Sequence, residues 1–188
     1  MLNFKQTFAW ADTNNKSISE LPAFTDAFLN IEHLNSMLSN YVVLNETYKV
    51  LMILRPYQFY AAEAIVKQAK ESRDNGYIWH TTGSGKTLTS FKASQIMMSL
   101  PEVHKVVFVV DRKDLDYQTM KEFNSFKEDS VDVTSNTKTL VDRFASNTKS
   151  NKLILTTIQK LNNAIVPGRY QSNMEHLKDK RIVFVFDE

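Results

Sequence analysis

Residues 80–87 read HTTGSGKT, and two of the chain's four glycines, Gly83 and Gly85, stand in that stretch beside Lys86 and Thr87. A polyphosphate needs several donors at close range and no side-chain bulk between them. Glycines at 83 and 85 let backbone N–H groups turn inward and approach phosphate oxygens. A helix beginning at Lys86 adds the partial positive charge of its N-terminus. The Lys86 ammonium then reaches the β- and γ-phosphates and the Thr87 hydroxyl ligates Mg²⁺, with Thr82 and Ser84 as the other loop residues of the cradle. The strict pattern G-x-x-x-x-G-K-[ST] wants glycine at position 80, where this chain has His80. A plain turn followed by a helix with a solvated lysine is the bland alternative; the apolar stretch before the loop and the helix after it argue for phosphate.

A second stretch supplies acids. In VFVFDE (183–188) an apolar run leads to Asp187 and Glu188 at the carboxyl end of a strand. An aspartate there holds the Mg²⁺ already bound by Thr87, directly or through water. The neighbouring glutamate orients or deprotonates an attacking water. Strand-end acids are common and usually just solvated. Paired with a phosphate loop upstream they read as an NTPase, with Lys86, Asp187 and Glu188 as its catalytic groups.

Upstream, LRPYQFYA (54–61) offers Gln58, whose carbonyl and amide match the N6 and N7 edge of adenine. Tyr57 or Arg55 is placed to stack on or flank the base. An exposed glutamine at a helix N-terminus would look the same, and its position ahead of the loop favours ATP. DRKDLDYQT (111–119) and TTIQKL (156–161) carry hydroxyls, amides and helix starts of the kind that hold a phosphodiester backbone without reading sequence. Asp111 and Thr156 are equally good helix caps, so chemistry alone weighs both readings evenly. His33, His80, His104 and His176 show no ligand spacing for a catalytic zinc, and Trp10 and Trp79 read as core.

The elements that must position these groups follow from periodicity. Phe24, Phe28, Ile31 and Leu34 predict a helix over about 22–39. A second helix starts near Pro56, which suits a first turn, and runs to the stretch before DNG. YIWH (77–80) reads as a short strand, and the helix from Lys86 ends at Pro101. Strands are expected at 105–111, within SVDVTS, at 152–157 and at 181–188; KDLDYQTMKEFNSF, TKTLVDRFASN and IQKLNNAI read as helices. This alternation predicts an α/β fold with a parallel sheet covered on both faces, where ligands bind at the carboxyl ends of the strands.

Composition sets the outer bounds. With 188 residues the chain suffices for one well-cored domain, and 23 basic against 21 acidic residues leave a net charge of +2. That balance argues against a polyanion-binding field over the whole surface and leaves local contacts for any nucleic acid. The absence of cysteine excludes disulfides and thiolate metal sites. The longest apolar runs fall short of a membrane span, and the N-terminus lacks the apolar core of a signal peptide, so a cytoplasmic setting and no membrane partner are expected.

In order, RPYQ, TTGSGKT, VFVVDRKDLDYQT, ILTTIQKL and VFVFDE resemble the Q motif and motifs I, Ia, Ib and II of superfamily-two helicases and translocases, whose loops commonly relax the position held by His80. YIWHTTGSGKTLTSFKA followed by VVFVVDRKDLDYQT is most similar to the R subunit of type I restriction enzymes. FAWADTNNKSISELPAFTDAFL is similar to the segment such subunits carry before their motor. The resemblance covers nearly the whole chain. It implies the first RecA-like lobe of a P-loop NTPase over 46–188, truncated at motif II, preceded by a short mainly helical segment over 1–45. It further implies ATP and Mg²⁺ as cofactors, double-stranded DNA as substrate, and methyltransferase (M) and specificity (S) subunits as partners. Arg112, Thr156 and Thr157 would lie near the DNA path.

The same resemblance sets a limit. The family's nuclease domain precedes this region and its second RecA-like lobe, with an arginine finger worth on the order of 10³–10⁵ in rate, follows it. The chain is therefore expected to be a fragment that by itself binds ATP at best. A superfamily-two RNA or DNA helicase unconnected with restriction would share the loop and the acids. A small-molecule kinase would want an arginine-rich lid, and 125–150 holds only Arg143. A non-catalytic nucleotide-binding scaffold is opposed by intact Lys86, Thr87, Asp187 and Glu188.

Overall fold

The computed structural model describes residues 7–111, 121–124, 132–133, 136–146, 153–166, 170 and 174–187. Near the N-terminus the polar stretch closes into a tight turn, the Asp12 carboxylate accepting from the backbone N–H groups of Asn14 and Lys16, both at 2.9 Å. Trp10 is thereby turned inward and is 4% exposed, as expected of a core tryptophan. The helix expected over 22–39 is broken in two, α1 (Leu21–Ala27) and α2 (Ile31–Ser36), the latter running into a wide turn at Met37–Tyr41. The break falls at Asn30 because its side chain accepts from His33 N–H at 2.8 Å and starts a new helix instead of continuing the old one.

Strands β1 (Val42–Asn45) and β2 (Val50–Ile53) then form an antiparallel hairpin. The sequence pattern predicts no element in this stretch. The division drawn at 45/46 falls at the hairpin's turn, and residues on both sides of it, Trp10, Met37 and Tyr41 with Phe59, Phe91 and Val106, share one core. Helix α3 (Pro56–Glu71) follows with proline in its first turn, then α4 (Lys86–Ser99) after the glycine loop.

The main sheet is built from β3 (Val103–Val110), β4 (Asp132–Val133), β5 (Leu153–Thr157) and β6 (Arg181–Asp187), in spatial order β4-β5-β3-β6 with every pairing parallel. Helix α5 (Thr137–Ala145) precedes β5 and α6 (Ile158–Ile165) follows it. The central strands β3 and β5 are buried along almost their whole length, with apolar runs at Val106–Val110 and Leu153–Leu155, because both faces are covered. Val106, Phe108 and Val110 face the core shared with α3 and α4; Val107 and Val109 face a second core with Leu140, Phe144 and Leu161. This is the α/β, RecA-like arrangement, with helices on both faces of a parallel sheet.

One expected strand is missing. Residues 77–80 form no ladder among the described residues, and Trp79, read as core, is 88% exposed beside Tyr77 at 86%. Aromatic and β-branched content makes a strand only where a neighbour takes up its backbone N–H and C=O groups. Most of the helix expected over KDLDYQTMKEFNSF lies outside the described residues. Residues 121–124 within it are helical, with Phe123 fully buried against Phe91 of α4 (5.0 Å between ring centroids) and Phe108 of β3 (4.9 Å).

Candidate functional site

Gly83 and Gly85 both sit in the left-handed region, at φ 76° and 78°, while His80 does not. That explains why the chain keeps glycine at 83 and 85 but spends no glycine on position 80: only the first two need a conformation that side chains disfavour. A Cβ on Gly83 would meet nothing within 4 Å, so the space over the loop is open. At Gly85 a Cβ would collide with the Gln58 amide. Thr82 is exposed on the loop, and Thr87 lies in the first turn of α4.

Ser84 at the loop's apex is gripped from several sides. Its carbonyl accepts from Gln58 Nε2 and from the Tyr57 hydroxyl, both at 2.9 Å, so the first turn of α3 is tied to the loop. Its hydroxyl donates to Thr81 C=O at 2.7 Å and lies 2.9 Å from His80 Nδ1. Gln58 is 5% exposed, and its Oε1 accepts from the Arg55 backbone N–H at 2.9 Å. The side chain expected to face adenine thus spends one bond at each end on the protein. Arg55 is exposed, with its guanidinium 5.9 Å from the Phe8 ring centroid.

The end of β6 brings the acid to the loop. Lys86 Nζ stands 4.0 Å from Asp187 Oδ1, with their side chains 39% and 25% exposed. Burial pushes the Asp187 carboxyl above the ordinary aspartate range, and the charges of Lys86 and then His80 pull it partly back. Glu188 and Arg112 lie outside the described residues. Thr156 and Thr157 stand at the carboxyl end of β5, both 0% exposed. Thr157, and not Thr156, caps the following helix, accepting from Lys160 N–H at 3.4 Å.

Glu122 is a carboxylate that no motif announced. Although Glu122 is exposed overall, partial desolvation of its carboxyl raises its pKa, a hydrogen bond with the Thr87 side chain lowers it, and the charge of Asp187 raises it further. Its only sequence signal is the neighbouring Phe123, whose burial pins this turn over α4. The observations fit a nucleotide with its cation: an open glycine cradle, a lysine and an aspartate brought together, and a hydroxyl at a helix start. No group of three or more acidic or histidine side chains among the described residues forms an all-protein metal cage, so nucleotide oxygens would complete the coordination.

Fold and loop together define a P-loop ATPase lobe, and the SWI2/SNF2 ATPase family model matches residues 57–188. The chain is 52% identical over 184 residues to a type I restriction enzyme endonuclease subunit of Staphylococcus saprophyticus, and 50% identical over 181 residues to one of Staphylococcus aureus (strain MSSA476). Each match takes in 96% of this chain and 19% of the relative, so the chain spans about a fifth of their length. A Mycoplasma pneumoniae protein described as the C-terminal part of a putative type I restriction enzyme endonuclease subunit is 40% identical over 189 residues, covering 95% of this chain and 91% of that protein. The chain belongs to the family of type I restriction enzyme endonuclease subunits.

Proposed function

We propose that the chain is the ATP-binding part of an ATP-dependent DNA translocase, the motor of an R subunit that couples ATP hydrolysis to movement along duplex DNA and to cleavage. The observation that carries this is the approach of Lys86 to Asp187 at 4.0 Å, which unites two motifs about a hundred residues apart at the mouth of a glycine loop. Gly83 and Gly85 open the cradle, Lys86 neutralises terminal phosphate charge, and Thr87 and Asp187 hold Mg²⁺. When bound, Mg²⁺ supplies charge neutralisation of the phosphates. Glu188 is proposed to position the attacking water, Gln58 and Arg55 to flank the adenine, and Arg112, Thr156 and Thr157 to lie along the DNA path.

The M and S subunits of a restriction complex are the proposed partners, and the cytoplasm the proposed compartment. No helix of the described residues is long and apolar enough to cross a membrane. By itself the chain is proposed to bind nucleotide with little turnover, because a second lobe with an arginine finger is needed for the rate.

The test is a titration of the 188-residue chain with a fluorescent ATP analogue and Mg²⁺, beside Lys86→Ala. Saturable binding that disappears in the variant is expected. Equal binding by both proteins would overturn the phosphate role of the loop.

A further inference from the structure

His80 occupies the place where the strict phosphate-loop pattern has glycine, and its ring carries more information than its position does. The Ser84 hydroxyl has one proton. Thr81 C=O can only accept, so at 2.7 Å that proton is committed to it. The 2.9 Å contact between His80 Nδ1 and Ser84 Oγ must then be made by a proton on Nδ1. Burial and the charge of Lys86 hold the His80 pKa below its ordinary value, while Asp187 pulls it back in part, which favours the neutral ring with its proton on Nδ1. Nε2 is left bare, buried and without a hydrogen-bond partner among the described residues. Tyr57 sets its ring edge-on to His80 at 6.1 Å, and its hydroxyl reaches the carbonyl of the same Ser84.

We propose that His80 is a positioning residue of the phosphate loop, locked as the Nδ1–H tautomer so that it fixes the Ser84 side chain and, through it, the loop's apex. This rests on reading the loop as a nucleotide cradle. The logic is substitution: with glycine at position 80 the Ser84 carbonyl keeps its bonds from Tyr57 and Gln58, but the Ser84 side chain is held only by Thr81 C=O, whereas a donating ring clamps that side chain from a second direction. A rigid apex keeps the Gly83 and Gly85 N–H groups aimed before any ligand arrives, which lowers the ordering cost of binding.

Two measurements test this. In the chain labelled with ¹⁵N at its four histidines, the His80 signals, assigned by their loss in His80→Asn, should show the proton on Nδ1 at a pH above the ring's pKa. A proton on Nε2 would overturn the proposal, whether or not the chain binds nucleotide. In the fluorescent-nucleotide titration, His80→Gly and Ser84→Ala should each weaken binding about five- to ten-fold, the loss of roughly one hydrogen bond. His80→Asn, which presents an N–H near the Nδ1 position, should keep most of the affinity. His80→Gln, which presents its amide near Nε2, should not. Rescue by glutamine and not by asparagine would overturn the pin and transfer the role to Nε2. If Lys86→Ala binds as well as the parent, the nucleotide reading fails, and the tautomer result still judges the pin.

Discussion

At the scale of single residues, the site stores an electrostatic conflict. Asp187 has its carboxyl pushed up by burial, so the folded chain holds that proton more tightly than the unfolded chain does. The sign follows directly: the group's contribution to stability falls as pH rises through the interval between its unfolded and its higher folded pKa. Asp187→Asn should therefore raise the thermal midpoint of the nucleotide-free chain by roughly 1–3 °C, since about 1 kcal/mol moves a domain of this size ~2–4 °C. The same variant should lose the Mg²⁺ dependence of nucleotide binding. A midpoint that drops, measured by calorimetry above neutral pH, would mean that the 4.0 Å approach to Lys86 outweighs the cost of burial. Gly85→Ala brings two penalties together, a left-handed backbone and a collision with the Gln58 amide. It should cost about 1–3 kcal/mol in urea unfolding and weaken nucleotide binding in the same protein.

At the scale of elements, the site depends on tethers between neighbours in space that are far apart in the chain. Arg181, the first residue of β6, donates from Nη1 to the carbonyls of Ala69 (2.6 Å) and Lys70 (2.9 Å), capping the C-terminal end of α3. The same α3 ties Tyr57 and Gln58 to the loop at its other end, while β6 carries Asp187 to it. Arg181→Met keeps the aliphatic stem and removes the donors. It should lower stability by about 1 kcal/mol, with faster amide exchange over the last turn of α3. Exchange unchanged there would mean that the α3 terminus is held by other contacts. The elements were mostly legible from the sequence: α3, α4, β3, β5 and β6 all lie where apolar periodicity, Pro56 and the glycine loop put them. The hairpin of β1 and β2 was not, because VVLN and VLMI show no strict alternation.

At the scale of the whole molecule, the described N-terminal residues share a core with the elements that carry the loop. The Trp10 ring lies 4.7 Å from that of Phe28 and 5.7 Å from that of Phe59 of α3 between centroids; Trp10 and Phe59 belong to the core that also holds Phe91 and Phe108, and the partly buried Phe28 packs against it. Trp10→Ala should destabilise the chain by about 3–5 kcal/mol, and with it the nucleotide site, although Trp10 lies outside the glycine loop in the sequence. Unfolding followed by both aromatic fluorescence and bound nucleotide analogue should show a single coincident transition shifted as one. Two separated transitions would divide the molecule into independent units.

The chemistry of the site was written in local order: glycines where φ is positive, a lysine and a threonine at a helix start, and an apolar run ending on acids. Such features depend on residues close in sequence, so pattern reveals them. What depended on tertiary packing was partnership. Gln58 engages the loop at Ser84, Glu122 joins Thr87, and Thr157 in place of Thr156 becomes the cap. The stretch at 77–80 has the side chains of a strand without a ladder partner among the described residues. The reason is physical: hydrogen-bond partners and burial are set by what lies across space, and a linear pattern specifies only what each residue is able to offer.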